Sequence, residues 1–112
     1  MKKIEAIIRS SKFDAVKQAL SEIGTDFFTF TEVKGFGQQK QDKVVYRGNV
    51  YDAGYIARMK LEIYTTDEKS AEVVQTICRS GRTGEVGDGK VIVTPIEHIT
   101  RIRTVEEGAA AL

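Results

Sequence analysis

Hydrophobic and polar positions alternate from the first residues of the chain. Ile4, Ala6 and Ile8 fall on one side of an extended segment and Ile7 on the other, which predicts a short strand over residues 4–9. The spacing then changes. Phe13, Val16, Leu20 and Ile23 recur at helical intervals behind a Ser11/Asp14 pair that resembles a capping box, and Gly24 stands where a left-handed residue would end the helix. Phe27 to Phe36 is rich in aromatic and β-branched residues and predicts a second strand. Met59, Leu61 and Ile63 alternate with Arg58, Lys60, Glu62 and Tyr64 in a third. Thr65 with Glu68 reads as another capping box; Ala71, Val74, Ile77 and Cys78 stripe the helix behind it, and Gly81 stops it. Val91-Ile92-Val93 predicts a fourth strand, with Pro95 confined to an edge or bulge, and Ile96, Ile99 and Ile102 carry the apolar pattern into a polar, Ala-rich tail.

The order strand-helix-strand-strand-helix-strand predicts an α+β fold, a ferredoxin-like βαββαβ sandwich with an antiparallel sheet and both helices on one face. The chain reads as one domain, residues 1–112, without internal linker or low-complexity run. The opposite face of the sheet then needs a cover. A strand face carrying Arg58, Lys60, Glu62 and Tyr64 points to a partly polar one, a subunit interface or a ligand cleft.

Two segments exceed what such a fold requires. Residues 37–55 join two strands that a hairpin of about 2–5 residues would connect. A long connection without apolar periodicity is usually functional, and this one places Tyr46, Arg47 and Tyr51 together, residue types that supply large contact area and planar hydrogen bonding. The structural alternative is an extended hairpin held by Val44, Val45, Val50 and Tyr51. The second segment, Gly81 to Lys90, holds four of the ten glycines. Glycines admit positive φ and bring amide N–H groups close to an anion, although an ordinary helix-to-strand connection would also be glycine-rich. With Lys90, and with Arg101 and Arg103 alternating onto one face further on, the segment predicts a cradle for a polyphosphate: amides, a point charge and two bidentate forks. It has no G-x-x-x-x-G-K-[ST] and is not a Walker loop.

Charge and composition remove several classes. Seventeen Lys and Arg stand against sixteen Asp and Glu, so the formal net charge of +1 argues against nucleic acid as a partner. Lys34-Gly35-Phe36-Gly37 matches the opening of the RNA-recognition-motif signature, but it continues Gln38-Gln39-Lys40 and lies on the second strand instead of the third. One cysteine excludes an internal disulfide, and Cys78 is expected to be a small buried helix residue. His98 is the single histidine, too few for a zinc cage or a Ser-His-Asp triad from one chain. With no long apolar run, the expectation is a soluble, intracellular protein without direct membrane insertion.

Several runs together resemble a known family. Met1-Lys2-Lys3-Ile4-Glu5-Ala6-Ile7-Ile8, Thr31-Glu32-Val33-Lys34-Gly35-Phe36-Gly37, Tyr46-Arg47-Gly48, Thr83-Gly84-Glu85-Val86-Gly87-Asp88-Gly89-Lys90 and Arg101-Ile102-Arg103-Thr104 resemble the PII nitrogen-regulatory signal proteins at matching spacing over nearly the whole chain. The resemblance implies a homotrimer with nucleotide clefts between neighbours, a T-loop at about 37–55, a B-loop at about 82–90 and a C-terminal loop at about 101–112. It implies competitive binding of ATP or ADP, with Mg2+ and 2-oxoglutarate at the base of the T-loop. Ile7, Thr29, Gly35, Gly37, Gln38, Glu62, Tyr64, Thr83, Gly87, Asp88, Gly89, Lys90, Arg101 and Arg103 would form the nucleotide site. Gln39 and Arg58 would serve 2-oxoglutarate, with Gln39 also on the metal. Tyr46, Arg47 and Tyr51 would dock the partner, an ammonium transporter or a nitrogen-metabolism enzyme, and Tyr51 matches a uridylylated position. The expected location is the cytoplasm, with recruitment to the membrane by a transporter.

The chain departs from the family pattern at four positions. Gln38 and Glu85 replace commonly basic residues, Arg58 replaces a lysine, and Asn49 replaces a serine that some relatives phosphorylate. Losing a cation at 38 and reversing charge at 85 would weaken phosphate binding or shift the preference between ATP and ADP. No positioned nucleophile supports the competing expectation, a ferredoxin-like phosphoanhydride hydrolase. An RNA-binding module is the third.

Overall fold

The computed structural model describes the backbone of residues 1–36, 43–46, 49–52 and 56–112, and the side chains of residues 1–36 and 56–112. Strand β1 (Lys2–Arg9) leads through a single 3-10 turn into α1 (Phe13–Glu22). Strands β2 (Thr29–Gly35), β3 (Lys43–Tyr46), β4 (Asn49–Asp52) and β5 (Ile56–Thr65) follow, then α2 (Asp67–Gly81) and β6 (Lys90–Pro95). Four strands make one sheet in the order β2-β5-β1-β6, with every neighbour antiparallel. This is the ferredoxin-like arrangement that the element order predicts. Pro95 closes β6 at a sheet edge, where its missing N–H costs no ladder bond. Within the long connection β3 and β4 pair as a hairpin, Val45 opposite Val50 and Val44 opposite Tyr51.

The core sits between the sheet and the two helices. Ile4, Ala6 and Ile8 of β1 and Met59, Leu61 and Ile63 of β5 pack against Val16 and Leu20 of α1 and Val73 and Ile77 of α2. Fully burying each large aliphatic side chain contributes roughly 1.5–3 kcal/mol, so this one face supplies most of the driving force. Gly24 ends α1 as expected: its φ is +78°, its N–H donates to Ser21 O and that of Thr25 to Leu20 O.

Five local expectations need correction. Ser11 caps nothing; it belongs to the 3-10 turn Ser10–Lys12, and α1 begins without a side-chain cap, leaving only Asp14 to complement the helix dipole. The cap of α2 is Thr66, whose hydroxyl accepts from the Lys69 N–H; Thr65 is the buried last residue of β5. The buried stripe of α2 is Val73, Thr76, Ile77 and Gly81, while Ala71 and Cys78 are exposed. Gly81 lies on the buried side of α2, where a Cβ would be 3.4 Å from Val16 Cγ2 and 3.8 Å from Ile8 Cγ2, ordinary contact distances. Gly81 is the buried last residue of the helix rather than a left-handed terminator, and the chain leaves helical geometry at Arg82. The second strand is also shorter than its aromatic run: Phe27 lies before it, 81% exposed, and Phe36 after it.

Candidate functional site

The bare face of the sheet carries the alternate residues of the same strands. Glu5 lies opposite Glu62, Ile7 opposite Lys60 and also Lys90, and Arg9 opposite Arg58. Lys3 and Lys60 answer the two glutamates across 3.4–4.0 Å. At the Arg9 end of this face the segment 82–90 folds over the edge.

That loop is built around one carboxylate. Asp88 Oδ1 accepts from Thr83 Oγ1 and from Arg9 Nε at 2.9 Å, and Asp88 Oδ2 accepts from the N–H groups of Thr83 and Gly84, each at 2.9 Å. The Thr83 hydroxyl, the Arg9 guanidinium and these amides all favour the ionised form, so the Asp88 carboxyl is held far below the usual carboxylate range. Gly84, Gly87 and Gly89 take φ of +90°, +102° and +96°. At Gly89 the loop lies on β1 itself: a Cβ would sit 1.8 Å from the Ile7 carbonyl oxygen, so any side chain must displace backbone.

Beneath the loop opens a cleft of about 510 Å³ lined by Ile7, Gly35, Phe36, Ile56, Arg58, Glu85, Gly87, Asp88, Gly89 and Lys90. Of the residues the sequence assigns to a nucleotide or effector, it gathers Ile7, Gly35, Arg58, Gly87, Asp88, Gly89 and Lys90. Guanidinium nitrogens of Arg58 and Arg9 lie 3.1 and 3.4 Å from where a Gly87 Cβ would be. Arg9 is paired with Asp88, so Arg58 and Lys90, opposed by Glu85 at the cleft wall, supply the positive charge that could meet an oxyanion beside the glycine backbone. Among the described residues no cluster of three His, Cys, Asp or Glu ligands forms.

Of the other expected residues that the structure describes, Thr83 sits in the loop against Asp88 and the rest stand elsewhere. Thr29 faces Glu62 across β2 and β5, and the Tyr64 hydroxyl donates to Glu62 Oε2 at 3.4 Å, further along the same bare face. Arg101 donates from Nη2 to the Leu112 main-chain oxygen at 2.8 Å and pairs with Glu106 at 3.4 Å; Arg103 is exposed. Neither arginine lines the cleft of Lys90, and residues 101–104 form a turn, so the expected convergence of three cations does not occur within one chain. Gly37, Gln38, Gln39 and Arg47 lie outside the described residues, as do the side chains of Tyr46 and Tyr51. Sequence reasoning missed Arg9. Its pairing with Arg58 and its bond to Asp88 depend on strand register and loop path, which no local pattern in the sequence carries.

Against known proteins, the profile of the family described as "Nitrogen regulatory protein P-II" matches residues 1–106. The chain belongs to that family. It is 45% identical to "Nitrogen regulatory protein P-II" of Azospirillum brasilense and 46% identical to the protein of that name from Klebsiella oxytoca, over 112 residues and the full length of both chains in each case. It is likewise 46% identical over 112 residues to "Nitrogen regulatory protein P-II 1" of Escherichia coli K12, again covering both chains entirely. Membership makes the chain a nitrogen regulatory protein, in keeping with a regulator rather than an enzyme. No helix among the described residues is long and apolar enough to cross a membrane.

Proposed function

We propose that this P-II protein signals nitrogen and energy status by binding ATP or ADP between copies of a homotrimer and acting on partner proteins through the segment 37–55. One observation carries the reading: the cleft beneath the glycine loop holds about half of the expected site, while Thr29, Glu62, Tyr64 and Arg101 stand on separate parts of the same chain. Lys90, Arg58 and the amides near Gly87 and Gly89 face one region; Thr29, Glu62, Tyr64, Arg101 and Arg103 belong to others. A second copy packed on the bare sheet face would bring its Thr29, Glu62 and arginines to the first copy's loop.

Within such a cleft the loop amides and Lys90 would hold the polyphosphate, and Ile7 and Gly35 would receive flatter, less polar parts of the nucleotide. Mg2+ would supply charge neutralisation between phosphate and a 2-oxoacid such as 2-oxoglutarate, with Arg58 and Gln39 as the protein groups nearest that effector. Gln38, in place of a cation, and Glu85, at the cleft wall, favour weaker polyphosphate binding than a fully basic loop would give. Gly35 and Phe36 in the cleft wall lead directly into 37–55, so nucleotide and effector would bias the conformation of that segment. Tyr46, Arg47 and Tyr51 would then dock on, or withdraw from, an ammonium transporter or a nitrogen-metabolism enzyme. A cytoplasmic protein would be drawn to the membrane by the transporter. A nucleotidyl group on Tyr51 would obstruct docking by charge and bulk.

Calorimetric titration with ATP, with ADP, and with Mg-ATP plus 2-oxoglutarate tests the reading, alongside sedimentation for the assembly. The expected result is a trimer with one nucleotide per chain and competition between ATP and ADP. A monomer that takes up neither nucleotide would overturn it.

A further inference from the structure

We infer that Arg9 is a positioning residue of the nucleotide site: it latches the 82–90 loop into its anion-receiving shape through Asp88 and Val86, and Asp88 serves the loop instead of touching the ligand. The inference rests on the nucleotide reading of the cleft and goes beyond it, because neither role follows from the family resemblance, which places Asp88 on the nucleotide.

Counting acceptor sites carries the argument. A carboxylate offers about four lone-pair positions. Asp88 fills them with Arg9 Nε, the Thr83 hydroxyl and the N–H groups of Thr83 and Gly84. None remains for a ribose hydroxyl, and an unspent carboxylate beside phosphates would repel them. The same Arg9 donates from Nη2 to the Val86 carbonyl at 2.9 Å, so one rigid fork grips the loop on both sides of Gly87. Thr83 extends the bracket, its hydroxyl accepting from the Glu85 N–H at 3.0 Å. These contacts hold a loop whose glycines would otherwise sample many conformations; without them the ligand would have to order the loop itself and would bind correspondingly less well. A lysine at position 9 is a point charge that reaches Asp88 or Val86, but it lacks the fork that spans both. Arg9 also lies opposite Arg58 in register, a like-charge pair that Asp88 offsets.

The test measures ATP affinity by calorimetry and amide hydrogen exchange at Thr83, Gly84 and Glu85 in the full chain and in Arg9→Met, Arg9→Lys, Asp88→Asn and the double variant Arg9→Met/Asp88→Asn. Arg9→Met and Asp88→Asn are each expected to weaken ATP about tenfold and to speed exchange at all three amides. The double variant should bind no worse than the weaker single, since both changes open one latch. Arg9→Lys should fall between Arg9→Met and the native chain. Native ATP affinity in Arg9→Met would overturn the inference, as would losses that multiply in the double variant. If the native chain binds no ATP, the nucleotide reading fails and takes Arg9's role in it along; exchange rates unchanged by Arg9→Met would show separately that the latch does not exist.

Discussion

The two faces of one sheet divide the labour of this molecule. Ile4, Ala6 and Ile8 point to the helices and are at most 3% exposed, whereas Glu5, between them, faces outward and joins a network of half-exposed charges. The strands are the same, and only the parity of the residue differs. The helix-side residues determine that the chain folds. The other side, with the loop at its edge, determines what the fold holds. That division predicts stability effects on one face and binding or assembly effects on the other, and each can be checked.

The largest stability effect belongs to the helix side. Leu61→Ala, at a fully buried position, is expected to cost about 2–5 kcal/mol, read from the urea midpoint, and to leave nucleotide affinity unchanged in the population that remains folded. Gly89→Ala attacks the seam between the faces. The strained backbone alone costs about 1–3 kcal/mol, and the displaced loop should lose ATP binding altogether; a variant that still binds would show that the close approach to Ile7 is dispensable.

Asp88 predicts a pH effect of smaller size. Its folded-state pKa lies below its unfolded value, so its contribution is complete above the ordinary carboxylate range near pH 4 and is lost as pH falls toward the folded-state value. The stability gap between the native chain and Asp88→Asn should therefore be greatest near neutrality and shrink below about pH 4, in denaturant titrations across pH. The smallest stability effect belongs to the bare face. Lys60→Met should change chain stability by no more than about 1 kcal/mol while altering the mass seen in sedimentation. A large loss of stability with unchanged mass would erase the distinction between the faces.

Much of this was legible in the order of residues. Period-two alternation at Ile4–Ile8 and Met59–Ile63 identified the buried face of both central strands, and Gly24 was correctly read as the left-handed end of α1. The phase of α2 was not. Ala71, Val74, Ile77 and Cys78 make an acceptable stripe, but helical spacing alone admits more than one phase, and packing against the sheet and α1 turns Val73 and Thr76 inward and Cys78 out. Likewise Thr65 and Thr66 are equally good caps on paper, and the pairing of Thr65 with Lys2 in β1 decides between them.

The candidate site divides in the same way. The glycine spacing from Gly84 to Gly89, followed by Lys90, announced a backbone suited to anions, because positive φ and close approach are properties of the residue type itself. Which partners complete that backbone was settled only by folding. Arg9 reaches Asp88 across 79 positions of chain, and Arg101, expected beside Lys90, engages Leu112 and Glu106 instead. Local periodicity and backbone preference act over a few residues and can be read from them directly; the meeting of distant side chains depends on strand register and on the path of the loop, which exist only in three dimensions.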